Sequence, residues 1–233
     1  MQLFFNNPIT DFFNLLYPRL CPGCNKLRKQ GEKEICVSCA YQLPYTDFHL
    51  YPENALAKQF WGRVPLNAAM ALLYFTKGGR TQNLIHHLKY KDQPEIGVFL
   101  GRAIGLRLLQ SEAYSGIDLL LPVPLHPRRE RWRGYNQSDY IARGIAESLN
   151  TTFNNNILYR SISTATQTKK DRYNRFENLQ QAFIVKQPQV IKNKHVLLVD
   201  DVITTGATLE ACVQALLQHQ PFKISVAAAA FTA

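Results

Sequence analysis

At 233 residues, with 46% of them hydrophobic, the chain can bury one substantial core with a small appendage, or two small domains. Its 27 Lys+Arg against 17 Asp+Glu give a net charge of +10, which favours anionic partners: phosphorylated metabolites, nucleic acid or an acidic protein surface. The apolar stretch at residues 4–16 is broken by Asn6, Asn7, Pro8 and Asp11 and lacks a basic start and a small-residue cleavage site, so neither a membrane span nor a secretory leader is expected and the expected compartment is the cytoplasm.

In residues 1–20, Phe4, Phe5, Ile9, Phe12, Phe13, Leu15 and Leu16 line one face of a short predicted helix that ends before Pro18 and packs under the next module. Four of the five cysteines follow as Cys21-Pro-Gly-Cys24 and Cys36-Val-Ser-Cys39. Each Cys-x-x-Cys turn can offer two thiolates to one metal, and the polar stretch between the pairs suits a loop or hairpin. A disulfide framework needs an oxidising compartment, for which the sequence gives no sign, so Cys21, Cys24, Cys36 and Cys39 are read as ligands of a structural Zn2+. Such a metal replaces the core that so short a segment cannot build. The first unit is placed at residues 1–55 and the second at 56–233, with the Pro- and aromatic-rich residues 41–65 read as an irregular connection.

Residues 68–75 read as a strand, 77–80 as a turn, and helices follow from Thr81 and over 96–109. Adjacent His86 and His87 point in different directions on a helix and are read as ordinary surface or packing residues. Residues 118–123 form another buried-type strand, followed by a basic loop with Arg128, Arg129, Arg131 and Arg133 and then an amphipathic helix ending near Leu149. Guanidinium groups suit bidentate contacts to phosphate, and the same run also suits a solvated basic face or a nucleic-acid patch. Residues 164–177 are polar and charged, unlike a packed element, and Lys169, Lys170, Arg172 and Arg175 there suit phosphate or DNA equally.

The most informative stretch is 196–209. Val196-Leu-Leu-Val199 is short, apolar and rich in β-branched residues, as in a central parallel strand, and its carboxyl end carries Asp200 and Asp201. From Leu209 the apolar positions recur at helical spacing, so a turn falls within Thr204, Thr205, Gly206, Ala207 and Thr208. The free N–H groups and positive dipole end of the helix favour a phosphate there. The two carboxylates repel a phosphate, but they can accept hydrogen bonds from ribose hydroxyls or help orient a hydrated Mg2+.

This strand, acidic pair and Thr-Thr-Gly-Ala-Thr loop resemble the signature of the type I phosphoribosyltransferases. The resemblance implies a central, mostly parallel sheet flanked by helices. It also implies that Asp200 and Asp201 meet the ribose of phosphoribosyl pyrophosphate (PRPP), that residues 204–208 wrap its 5-phosphate, and that the loop carrying Arg128, Arg129, Arg131 and Arg133 takes pyrophosphate with Mg2+. The cysteine module, Leu88-Lys-Tyr-Lys91, Pro122-Val-Pro-Leu-His126, Arg133-Gly-Tyr-Asn-Gln137 and the acidic loop occur in an order similar to that of the ComF family, which includes bacterial competence proteins and GntX-like relatives. That resemblance covers nearly the whole chain, and it implies that the segment from Leu158-Tyr-Arg160 to Gln181-Ala-Phe-Ile-Val185 is the flexible loop, a mobile lid closing over PRPP, with Lys169, Lys170, Arg172 and Arg175 as its candidates. It implies a role in DNA uptake alongside single-stranded DNA, a helicase-like ATPase and single-strand DNA handling proteins. A catalytically active transferase is the alternative, and no segment identifies its acceptor.

Overall fold

The computed structural model describes residues 18–160 and 182–232. The predicted helix of residues 1–20 thus lies outside the described residues up to residue 17, as do Lys169, Lys170, Arg172 and Arg175.

Five strands pair in parallel in the order β1-β7-β6-β2-β3: β1 Ala68–Tyr74, β2 Leu119–Pro122, β3 Thr152–Phe153, β6 His195–Ile203 and β7 Lys223–Phe231. Val196, Leu197, Leu198 and Val199 are fully buried between β2 and β7, as a near-continuous apolar run in a sheet covered on both faces requires. The helices are α1 Val37–Gln42, α2 Ala55–Lys58, α3 Arg80–Tyr90, α4 Glu95–Leu108, α5 Pro127–Arg133, α6 Gln137–Leu149 and α7 Ala207–Leu217. Strands β4 (Leu158–Arg160) and β5 (Phe183–Val185) form a separate antiparallel pair.

Helices α4 and α6 pack closely because glycines remove the side chains between them. A Cβ on Gly101 would land on the carbonyl oxygen of Ile141, and one on Gly144 on that of Val98. This contact fixes α6, whose first residues face the end of β6.

Two local expectations, the end of the acidic strand and the basic loop, need correction. The strand carrying the acidic pair does not stop near Val199: pairing with β7 continues to Ile203 opposite Phe231, so both carboxylates lie within the strand. The following helix starts at Ala207, within the expected turn of residues 204–208. The basic loop is in part a helix, α5, because Pro127 is preset for a first turn, His126 Nδ1 accepts the Arg128 N–H at 3.2 Å, and Gly134 closes the end at φ 86°.

Residues 44–46, expected as irregular connection, cover the edge of β1. Thr46 N–H donates to Leu72 O at 2.9 Å, and Tyr74 N–H donates to Pro44 O at 2.8 Å. Asn54 caps α2 by accepting from Ala57 N–H at 2.9 Å, while its amide donates to Ala69 O of β1 at 2.8 Å. An edge strand otherwise exposes unpaired donors and acceptors, and this segment satisfies them.

Candidate functional site

The turn after β6 holds Thr204 and Thr205 exposed and Gly206 buried, with Gly206 at φ 73°. Together with Asp200, Val202, Ala207 and Thr208 these residues line a small concavity at the start of α7. The N–H groups of Gly206, Thr208 and Leu209 have no acceptor among the described residues, and Ala207 N–H reaches Thr205 Oγ1 only at 3.5 Å. Orphan donors, the helix dipole and three threonine hydroxyls therefore meet around one concavity, a suitable arrangement for an anion.

The acidic pair is held by the first two residues of α6. Gln137 Nε2 donates to Asp201 Oδ2, and Ser138 Oγ donates to Asp200 Oδ1 at 3.3 Å. Asp201 is buried and also pairs with Lys89 Nζ of α3 at 2.9 Å. Asp200 Oδ1 accepts the Asp201 N–H at 2.8 Å, and its Oδ2 accepts from nothing among the described residues. Burial, and then the neighbouring Asp201 charge, push the Asp200 carboxyl up to about 7. The two carboxylates thus differ in role: Asp201 is engaged by a cation and an amide, whereas Asp200 keeps an oxygen available.

On α5 the four arginines divide between two faces. Arg129 and Arg133 are four residues apart and share one; Arg128 and Arg131 are three apart and share another. Arg133 is half-buried, donates to Gln137 Oε1 and lies 5.3 Å from the Tyr90 ring centroid, so it connects to Asp201 through Gln137. Arg128, Arg129 and Arg131 are exposed. Tyr90 and Trp132, with ring centroids 5.8 Å apart, add an aromatic surface beside them.

Lys89 and Ser138 were given no individual role by the sequence, and Gln137 and Arg160 entered only as parts of motifs. Lys89 too stands inside a quoted motif, but its partner is 112 residues away, and only the fold brings the two together. Arg160 is half-buried at 5.5 Å from the Phe183 ring; burial and the nearby Arg129 charge lower its pKa, while Asp200 opposes that shift.

Away from the sheet, the Sγ atoms of Cys21, Cys24, Cys36 and Cys39 all lie within 4.8 Å of one another. Cys24 and Cys36 Sγ are 3.7 Å apart, far beyond a disulfide bond and close to the ~3.8 Å between thiolates sharing a tetrahedral ion at ~2.3 Å. Cys36 N–H donates to Cys21 Sγ and Cys39 N–H to Cys36 Sγ, each at 3.3 Å. Backbone donors of this kind stabilise thiolates, and the set fits a metal ion. Asn83 Nδ2 of α3 donates to Gly23 O at 3.0 Å, which fastens the first knuckle to the main sheet domain.

A family model for the phosphoribosyl transferase domain matches residues 140–232, from α6 through the acidic pair to β7. DNA utilization protein YhgH of Shigella flexneri is 31% identical over 211 residues, covering 89% of this chain and 88% of the relative. Competence protein F of Haemophilus influenzae is 31% identical over 198 residues, covering 82% of this chain and 80% of the relative. The chain belongs to the ComF family. Among solved structures, the glutamine PRPP amidotransferase from B. subtilis, complexed with ADP and GMP, aligns at a TM-score of 0.43 and 18% identity over 61% of this chain and 30% of its own. This ComF-family chain therefore joins a phosphoribosyl transferase domain, with the mostly parallel sheet described above, to a cysteine cluster able to hold a metal.

Proposed function

We propose that this ComF-family protein binds PRPP at the carboxyl end of β6 and acts in DNA uptake or processing. The 5-phosphate sits on Thr204, Thr205, Gly206, Ala207 and Thr208, the ribose hydroxyls meet Asp200 and Asp201, and the pyrophosphate lies toward α5 with its Arg128, Arg129, Arg131 and Arg133. The observation that carries this reading is the meeting of the unpartnered Gly206, Thr208 and Leu209 N–H groups with the acidic pair around one concavity.

Asp200, with its free Oδ2, is the residue that would face a hydrated Mg2+ accompanying the ligand. The ion would supply charge neutralisation on the phosphates. Zinc is the metal assigned to Cys21, Cys24, Cys36 and Cys39, in an N-terminal unit proposed to end at residue 55.

The names of the relatives, DNA utilization protein and competence protein F, support the DNA context. Single-stranded DNA is the proposed macromolecular ligand, handled together with a helicase-like ATPase and single-strand DNA handling proteins. Supporting this, Trp132 is 73% exposed and Tyr90 50% exposed, with Arg133 against Tyr90, the combination of stacking surface and cation that single strands use.

A second reading is a Mg2+-dependent phosphoribosyltransferase with an unidentified acceptor. Asp200 favours it, because a carboxyl titrating near 7 can exchange a proton at neutral pH.

The test is a calorimetric titration of the zinc-loaded protein with PRPP and Mg2+, beside Asp200→Asn/Asp201→Asn. Saturable binding that the double variant loses is the expected result; a folded wild type that does not bind refutes the PRPP reading.

A further inference from the structure

The phosphate turn has a second side, built by residues far from it in sequence. Phe60 lies against Gly206 so closely that a Cβ there would be 2.9 Å from the ring edge. Three residues on, Arg63 donates from Nη1 to Thr205 O at 3.0 Å and to Gln59 O at 3.0 Å, and from Nε to Glu210 Oε2 at 2.9 Å. Glu210 is buried, and its N–H donates to Gly206 O at 2.9 Å in the first turn of α7.

The contact to Thr205 O governs a direction. The Thr205 carbonyl and the Gly206 N–H belong to one planar trans peptide and point opposite ways. A guanidinium holding the carbonyl from behind therefore turns the Gly206 N–H away from Arg63. Gly206 at φ 73° has no Cβ to lock the peptide, and a glycine turn can sample the flipped orientation easily. In the flipped state a carbonyl oxygen would replace the N–H as the group facing a bound anion.

We infer that Arg63 is a positioning residue for the phosphate turn: by fixing the Thr205–Gly206 peptide, it presents the Gly206 N–H to the 5-phosphate without touching the ligand. Glu210 orients the guanidinium and balances its charge, so Arg63 acts on the peptide as a donor fork that lysine cannot reproduce. Phe60 closes the space behind Gly206, and the Arg63 guanidinium lies 5.9 Å from its ring centroid. This role rests on the phosphate reading above.

The experiment titrates full-length, zinc-loaded wild type, Arg63→Ala and Arg63→Lys with ribose 5-phosphate, with PRPP plus Mg2+ and with pyrophosphate plus Mg2+. The Gly206 amide resonance is followed alongside calorimetry, and circular dichroism checks the fold. Loss of a positioned, charge-assisted contact is expected to weaken ribose 5-phosphate and PRPP together by about tenfold or more in Arg63→Ala, and pyrophosphate not at all. The downfield response of the Gly206 amide to ribose 5-phosphate should vanish. Arg63→Lys, which keeps the charge and not the fork, should lose several-fold for the same two ligands, and it carries the test should Arg63→Ala not fold. Wild-type affinities in the folded variants overturn the positioning role while leaving the phosphate site intact. A wild type that binds neither sugar phosphate overturns both.

Discussion

Lys89 Nζ lies 2.9 Å from Asp201 Oδ1, joining the end of α3 to the strand that carries the acidic pair. Asp201 is buried, so the ammonium and the Gln137 amide are what make its charge tolerable. Lys89→Met should cost about 3 kcal/mol in urea unfolding, because it strands a buried carboxylate. Adding Asp201→Asn should recover most of that loss, and a double-mutant cycle checks it.

Asp200 should set a pH dependence of stability. Its carboxyl is raised to about 7 in the folded chain, from an ordinary value of 3.8, so between those values the folded state holds the extra proton. The contribution is fully present below the unfolded value and is lost as pH rises through about 7. Asp200→Asn should therefore match wild type near pH 4 and exceed it near pH 8 by at least about 1 kcal/mol, measured by denaturant unfolding at both pH values.

The cysteine cluster should hold one metal ion per chain. Chelation should expose four thiols to a colorimetric reagent and remove exchange protection from the Cys36 and Cys39 amides, which donate to sulfur. Gly23→Ala should weaken the metal, since its Cβ would be 3.0 Å from Cys39 Sγ.

Gly101→Ala and Gly144→Ala should each destabilise by about 3 kcal/mol or more, because the added methyl meets a backbone carbonyl of the facing helix. Thermal unfolding checks this. The displaced α6 should also loosen Gln137 and Ser138 from the acidic pair, so PRPP affinity should fall in the same variants.

The parts of the fold legible in the sequence are those with local causes. The apolar run Val196 to Val199, the hydroxyl-rich turn and the periodicity after Leu209 suffice for strand, turn and helix, and the spacing of Cys21, Cys24, Cys36 and Cys39 suffices for a cluster. The extension of β6 to Ile203 was hidden because its cause is pairing with β7. Helix α5 was read as a loop because its charges outweighed the start and stop signals at Pro127 and Gly134. Lys89, Gln137 and Arg63 act through partners distant in sequence, and no spacing rule reaches that far. Two-residue β3 was equally silent, since Thr152–Phe153 is too short to carry a period.

The most direct measurement of the central claim is a 31P NMR titration of Mg2+–PRPP with the zinc-loaded protein. The 5-phosphate resonance should shift and saturate at one ligand per chain, because that group meets the N–H donors at the head of α7. A 5-phosphate resonance that stays in place while only the pyrophosphate signals move would contradict it, leaving the anion site on the arginines of α5 and not on the turn.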